Sequence, residues 1–299
     1  MSQLHALLTN MLEQGFLFSF LGLGVLLTFR FFRFPDLTAE GSYPLGGAVA
    51  ATLLVNGMNP FLATALAVLA GAAAGMATAL VHTKLRINNI ISGIIVMTAL
   101  YTVNLRVMGR ANISLLSASS IVGEVATALQ RLGIPAREDA LLTIVVTAVL
   151  ILFVGLALIA FLHTDLGLAI RATGENETMI RSLGVNTDTT KLIGLAISNG
   201  AIALSGALVA QNHGFADIGM GIGILVTGAA AVLIGEAIFG DRSIERWVIS
   251  AVVGVLIYRL LVALALRVGF EPVDLRLITA ALLLGALAVP QLRGRILRR

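Results

Sequence analysis

The residues best placed to do chemistry lie in Arg33–Tyr43, RFPDLTAEGSY, which follows one apolar stretch and leads into another, LGGAVAATLLV. Ionisable groups at membrane depth are costly and mark ion or substrate paths by default. Pro35 breaks the incoming helix. Asp36 and Thr38 can cap a new one, with Gly41 as a flexible point. A break at membrane depth is tolerated where it is buried in protein or lines a cavity, which is where substrate paths are built. The alternative is a cytoplasmic loop with an ordinary cap. Asn88, Asn89 and Ser92 open INNIISGIIV, Asn104 closes that segment, and Asn199 sits within ISNGAIALSGALVA. Such amides line a polar path or hydrogen-bond neighbouring helices, the second role being the commoner. The candidate path is therefore Asp36, Thr38, Glu40, Asn88, Asn89 and Asn199.

Catalysis finds little support. His5, His82, His163 and His213 are scattered, stand at segment ends and lack metal spacing. No Gly-x-Ser-x-Gly or His-Glu-x-x-His motif occurs. The chain has no cysteine, so disulfides, thiol catalysis and cysteine metal sites are excluded. A nucleotide-phosphate loop needs Gly-Lys-Ser/Thr, whereas Lys84 and Lys191 both lie between Thr and Leu. Gly219, Gly221 and Gly223 in DIGMGIGILVTG are expected to follow no strand, and they precede no lysine. They are expected to form a half-broken start to a helix. Glu236 is placed near a cytoplasmic end. Arg259 lies deeper, where snorkelling, an interhelical ion pair and a functional role are all open. No cofactor and no metal is expected.

A second polar island, Thr164–Lys191, reads TDLGLAIRATGENETMIRSLGVNTDTTK between two long apolar segments. Thr173 can cap a short helix, with Glu175 and Glu177 in its first turn, Arg181 in its last and Gly184 as its stop. A helix of about nine residues does not hold itself in water. Met179, Ile180 and Leu183 share one side of it, so this apolar knob is expected to face a partner.

The elements that must carry these residues follow from composition. Of 299 residues, 58% are hydrophobic and 12% charged, against about 25% charged in soluble domains. Mean hydropathy is +0.98. The chain is therefore read as an all-α integral membrane protein forming a single transmembrane bundle over 1–299. Its 31 glycines suit close helix packing in lipid. Candidate spans are Phe16–Thr28, Ser42–Val55, Pro60–Val81, Asn89–Leu105, Ala140–Leu162, Leu192–Gln211, Ile222–Phe239, Trp247–Leu266 and Leu275–Pro290. Full crossing takes about 20 residues, so the first two are short. MSQLHALLTNMLEQG has no Lys or Arg and does not read as a cleaved leader.

Basic residues set orientation. With an external N-terminus and a cytoplasmic tail (residues 291–299), Arg30, Arg33, Lys84, Arg86, Arg171, Arg181, Lys191, Arg242, Arg246, Arg293, Arg295, Arg298 and Arg299 lie inside. They outnumber Arg106, Arg110, Arg131, Arg137, Arg267 and Arg276 outside. This puts the 164–191 island in the cytoplasm. The net charge of +4 is read as a topology signal rather than a nucleic-acid footprint. In the outer segment 106–139, Val122, Val125, Ala126 and Leu129 share one face of a short amphipathic helix lying on the membrane surface.

Three stretches together resemble the permease subunits of bacterial ABC importers, in the branched-chain amino acid and ribose permease superfamily. PDLTAEGSYPLGGAVAA is similar to the broken second span of that family. GLAIRATGENETMIRSLGVNTDTTKLIGLAISNGAIALSGALVA resembles its coupling region, and ADIGMGIGILVTGAAAVLIGEAIFG its next Gly-rich span. The resemblance implies that Thr173–Gly184 forms a coupling helix in a groove of a separate ATPase subunit. Thr173, Gly174, Glu175, Asn176, Met179, Ile180, Arg181 and Gly184 would form that site. It further implies a periplasmic or lipoprotein substrate-binding protein, a second permease copy in a homodimer, and residence in the bacterial inner membrane. A small neutral or zwitterionic solute, first an amino acid, fits a path whose only carboxylates are Asp36 and Glu40. A sugar or nucleoside permease and an ATP-independent secondary transporter or channel are the competing readings. A membrane-embedded enzyme would need clustered His, Asp or Glu at span ends, which the sequence lacks.

Overall fold

The computed structural model describes residues 2–240 and 243–296; Arg242, Arg298 and Arg299 of the charge pattern lie outside the described residues. Among the described residues twelve α-helices account for almost all of the regular structure, and 81% of the chain is helical. They are α1 (Ser2–Leu26), α2 (Ala39–Val55), α3 (Pro60–Leu85), α4 (Asn89–Met108), α5 (Ile121–Arg131), α6 (Ala140–Leu162), α7 (Asp165–Glu175), α8 (Glu177–Ser182), α9 (Thr187–His213), α10 (Ile224–Phe239), α11 (Ile244–Val268) and α12 (Leu275–Ile296). Two short strands, β1 (Asn112–Ser114) and β2 (Phe215–Asp217), pair antiparallel with Ile113 opposite Ala216.

Seven helical segments among the described residues are long and apolar enough to cross a bilayer. The protein is thus an all-α, multi-pass membrane protein. Of the nine expected spans, α2 has 17 residues and the apolar part of the last is Leu275–Ala286, so these two are the short ones. The first span is longer than the sequence suggested. It runs Leu7–Phe31, because Glu13, Gln14 and Gly15 do not interrupt the helix, and it ends in a π-helical turn at Leu27–Phe31.

Local sequence explains most helix starts. Asn59, Asn88, Asp139 and Asn186 each accept a hydrogen bond from a backbone N–H one or two residues into the helix that follows. Pro60 occupies the first turn of α3, where its missing N–H costs nothing. The expected surface helix is α5, capped by Ser120. Its Ile121 and Ala126 are buried, and it packs on α6 and α3 of the bundle.

Burial sorts the spans. α1 and α9 are 72% and 67% buried across their apolar windows, whereas α4 and α6 are 28% and 22% buried. The first pair form the central pillars and the second pair the lipid-facing periphery. Phe20, Leu21 and Val25 of α1 pack with Val232 of α10 and Val248 and Val255 of α11. On the other side, α9 meets α2 at backbone distance. A Cβ at Gly206 would collide with the Tyr43 carbonyl, and one at Gly46 with the Ala203 carbonyl. Small residues at such crossings let helices pack without a hydrophobic driving force between them.

The two ends of the bundle are distinct. At one end β1 pairs β2, Asn112 donates to Asp217 at 3.4 Å, and Gln211 on α9 joins Thr64 (2.9 Å) to the Ile121 N–H (3.0 Å). At the other end Arg30 pairs with Glu236 at 3.4 Å, Arg33 with Glu175 at 2.7 Å and His163 with Glu245 at 2.9 Å. Glu236 therefore has a cation beside it rather than facing solvent alone. The 164–191 island belongs to this second end, with residues 30–34 and 82–89.

Candidate functional site

Two polar assemblies stand out. The first lies where the chain leaves α1 and enters α2. After the π-helical turn, Arg33 takes a left-handed φ of 48°, and residues 32–38 run without α-helix. Thr38 is the N-cap of α2, but its side chain makes no capping bond. Asp36 instead accepts the Thr38 N–H at 2.9 Å through Oδ1. Its Oδ2 accepts from Asn199 Nδ2 at 2.7 Å. Asn199 in turn donates to the Leu195 carbonyl at 3.0 Å and accepts from the Ser42 hydroxyl at 2.7 Å. The Thr38 and Thr78 hydroxyls meet at 2.6 Å. Asp36 is 1% exposed, and Thr38, Ser42, Thr78 and Asn199 are 0% exposed. Asn199 is the thirteenth residue of the 27-residue α9, so the break sits at mid-membrane depth, enclosed by protein as an unsatisfied backbone in lipid requires.

Beside this network lies an open cavity of about 290 Å³, walled by Glu40, Pro44, Met97, Tyr101, Asn104 and Ile222 among others. Glu40 Oε1 accepts the Gly223 N–H at 3.2 Å, joining the start of α2 to the start of α10. Gly223 has a φ of +78° and follows a 3₁₀ turn at Ile218–Gly221, which is the half-broken start expected of this Gly-rich stretch, although the three-residue β2 directly precedes that turn where no strand was expected. Asn104 donates to the Gly41 carbonyl at 3.2 Å. The structure thus brings Asp36, Thr38 and Asn199 into one network and puts Glu40 on the adjoining cavity. It does not join Asn88 and Asn89 to them. Asn88 caps α4 through the Ile90 N–H at 2.9 Å, and Asn89 lines a separate cavity at the bundle end with His82 and Lys191.

The second assembly is the island. Its helical part is two helices, not one. Thr173 does not cap the short helix; it lies inside α7, 5% exposed, and bonds the Ala169 carbonyl at 2.7 Å and the Thr190 hydroxyl at 3.1 Å. The cap is Asn176, whose φ of −154° ends α7 and whose Oδ1 accepts the Met179 N–H at 3.0 Å. Asn and Thr are both good caps, so local propensity alone could not choose between them. Glu175 accordingly ends α7 instead of opening the short helix. Gly174 sits so close to Phe31 that a Cβ would meet its carbonyl. Gly184, with φ +87°, is the stop that the sequence indicated.

The apolar knob also divides. Ile180 is 7% exposed and points inward, whereas Met179 and Leu183 are 52% and 70% exposed. What holds so short a helix is a lattice of charge-assisted bonds. Glu177 Oε1 accepts from Lys191 Nζ at 2.7 Å, Arg181 at 3.0 Å and the Thr187 hydroxyl at 3.2 Å. Arg181 also reaches Asp188 at 3.2 Å. Partial burial pushes the Glu177 carboxyl up, but the Lys191 ammonium, the Thr187 hydroxyl and Arg181 outweigh it and hold the group below its usual range. Lys191 Nζ also lies 3.1 Å from His82 Nε2. An ammonium only donates, so Nε2 accepts, and Nδ1–H donates to the Ile87 carbonyl at 2.7 Å. His82 is thereby fixed as one neutral tautomer. Lys191 links α8 and α9 to the end of α3, a role that sequence reading missed. The only signal was a lysine at the mouth of an apolar span, which reads equally as snorkelling.

A closed polar break at membrane depth, a cavity beside it and an externally braced two-helix projection define a multi-pass membrane transport permease. Comparison with known proteins agrees. Residues 7–287 match the family described as the permease component of branched-chain amino acid transport systems, and the chain belongs to that family. It is similar to a tyrosine transport system permease protein of Clostridioides difficile, 38% identical over 284 residues, covering 95% of this chain and 91% of the relative. An uncharacterised protein of Rickettsia prowazekii is 34% identical over 281 residues, covering 93% and 95% of the two chains. A probable branched-chain amino acid transport permease of Methanocaldococcus jannaschii is 28% identical over 198 residues, covering 63% and 61%. No solved structure matches.

Proposed function

We propose that this chain is the membrane subunit of an ABC importer for a small neutral or zwitterionic solute, first an amino acid. A substrate-binding protein delivers the solute, and separate ATPase subunits drive its passage. The observation that carries the reading is α8. Six residues cannot stay helical alone, yet α8 is braced by Lys191, Thr187 and Asp188 while Met179 and Leu183 stand clear. A rigid, exposed apolar pair on α8 suits insertion into a groove of an ATPase. The family supports an amino-acid cargo, and the tyrosine and branched-chain names of two relatives narrow the first trials. Two copies pair around the path in the bacterial inner membrane, with the α7–α8 end and the C-terminus in the cytoplasm, as the basic residues at that end favour.

Motion then follows from the bracing. ATPase closure displaces α8, and the ion lattice transmits the displacement to α9 through Lys191 and to α3 through His82. α9 carries Asn199, so the same helix that receives the push holds the Asp36 break. The test is co-purification with the ATPase subunit in mild detergent. Wild-type protein is expected to retain the ATPase, and a Met179→Asp, Leu183→Asp double variant to lose it with the bundle still folded. ATPase retention by that variant, or solute uptake by wild-type vesicles without ATP, would overturn the reading in favour of an ATP-independent transporter.

A further inference from the structure

A cation remains that none of this uses. Arg259 lies on α11, and its Nε is buried with no hydrogen-bond partner among the described residues. The guanidinium stacks on the Phe18 ring, 3.5 Å from the centroid. A ring face attracts the charge but satisfies few of the five N–H donors. Arg259 faces a cavity of about 390 Å³ bounded by α1, α10, α11 and α12. Arg276 of α12 lines the same cavity, and no Asp or Glu does. The Tyr258 hydroxyl and Thr279 on its wall bond each other at 2.7 Å. The rest of the wall is largely apolar, including Ile224, Val226 and Val262. Glu40, which bonds Gly223 at the cavity edge, lines the neighbouring cavity instead. Neither an interhelical ion pair nor simple snorkelling describes this arrangement.

We infer that the α1–α10–α11–α12 cavity binds the oxyanion of a small amphiphile, with Arg259 as the fork that receives it and Arg276 as a second positive charge. A guanidinium matches a carboxylate or phosphate in two parallel bonds, and the apolar wall takes the body of the ligand. Two sources share this chemistry: the carboxylate of an amino acid and the phosphate of a phospholipid. The first rests on the importer reading above; the second does not.

The test is ligand-induced thermal stabilisation of the full-length chain in detergent. The probe pairs are tyrosine against tyrosinamide, and short-chain phosphatidylglycerol against the matching diacylglycerol. The oxyanion-bearing member of at least one pair is expected to stabilise the protein and its neutral counterpart not to. Arg259→Gln should weaken that response about tenfold or more in ligand concentration, the scale of a lost charge-assisted bond. Arg259→Lys should retain part of it. Thr227→Phe, which narrows the cavity and leaves the arginine in place, should weaken it as well and covers a failure of Arg259→Gln to fold. A response to tyrosine assigns the carboxylate, and one to phosphatidylglycerol the phosphate. No response to either oxyanion, or one unchanged in both Arg259→Gln and Thr227→Phe, overturns the inference. ATPase binding is not read in this assay, so its outcome is separable from that of the importer proposal.

Discussion

Asp36 offers the sharpest test of how the membrane-depth break is held. Asp36→Ala removes two acceptors at once, the one that takes the Thr38 N–H at 2.9 Å and the one that takes Asn199 Nδ2 at 2.7 Å. Each buried donor left unpaired costs about 1–3 kcal/mol, so the variant should lose about 2–6 kcal/mol. A water entering the vacated volume would move the loss toward the lower figure. Asp36→Asn behaves differently. Its Oδ1 can still take the Thr38 N–H, but its Nδ2 would face Asn199 Nδ2. Turning the Asn199 amide over repairs that contact. The Ser42 hydroxyl can then accept where it now donates, but the bond to the Leu195 carbonyl is lost and the turned Asn199 Oδ1 faces that carbonyl oxygen. That exchange should cost about 1–2 kcal/mol, somewhat more than the net worth of one ordinary hydrogen bond. Thermal unfolding of both variants in one detergent, with solute uptake in vesicles, measures the two effects. Asp36→Ala is expected to melt well below wild type and to lose uptake, with Asp36→Asn melting between the two. Uptake by Asp36→Asn then tells whether the carboxylate only braces the break or also meets the solute. An Asp36→Ala protein that melts with wild type would refute the reasoning.

Three further outcomes follow from the geometry. Lys191→Met should cost about 1–2 kcal/mol, less than a fully buried pair because Glu177 is 39% exposed and solvent screens it; solute moved per ATP should fall while the ATPase still binds, and an unchanged ratio would count against Lys191 as a transmitter. The Glu177 carboxyl is held below its usual value, so its contribution is full above the unfolded value of 4.5 and disappears as pH falls through the lower folded value. Glu177→Gln should therefore melt below wild type at neutral pH and converge with it in acid; a gap that persists in acid would deny the charge its role. Gly206→Ala forces a Cβ against the Tyr43 carbonyl and should cost about 1–3 kcal/mol or prevent assembly, whereas Gly285→Ala meets nothing within 4 Å and should be neutral or slightly stabilising; equal melting of the two would contradict the close α2–α9 crossing.

Much of the architecture is fixed by the chain's chemistry before any packing is considered. A charge content of 12% cannot clothe a soluble surface, so the membrane class follows from composition alone. Span positions follow from apolar run length, and helix starts from Asn59, Asn88, Asp139 and Asn186, because capping is a contact between near neighbours. Pro35 and the acids after it mark the break, and Gly184 marks the end of α8. These signals are local, and local signals survive in a one-dimensional text.

What depends on distance in sequence was decided only by the fold. Asp36 and Asn199 are 163 residues apart, and nothing in either segment says that they bond. Lys191 reaches Glu177 and His82 across 14 and 109 residues. The turn from α7 to α8 falls at Asn176 rather than Thr173 because Thr173 is claimed by Thr190 on α9, a tertiary contact that outranks its capping propensity. Ile180 and Met179 are equally apolar in the sequence, yet one is buried and the other exposed, since α9 and α7 choose which side of α8 they cover. Even the pairing of β1 with β2 joins loops about a hundred residues apart through backbone bonds that carry no side-chain signature. Residue types set what each segment could do; the packing of α9 against α1, α2 and α3 set which of them met.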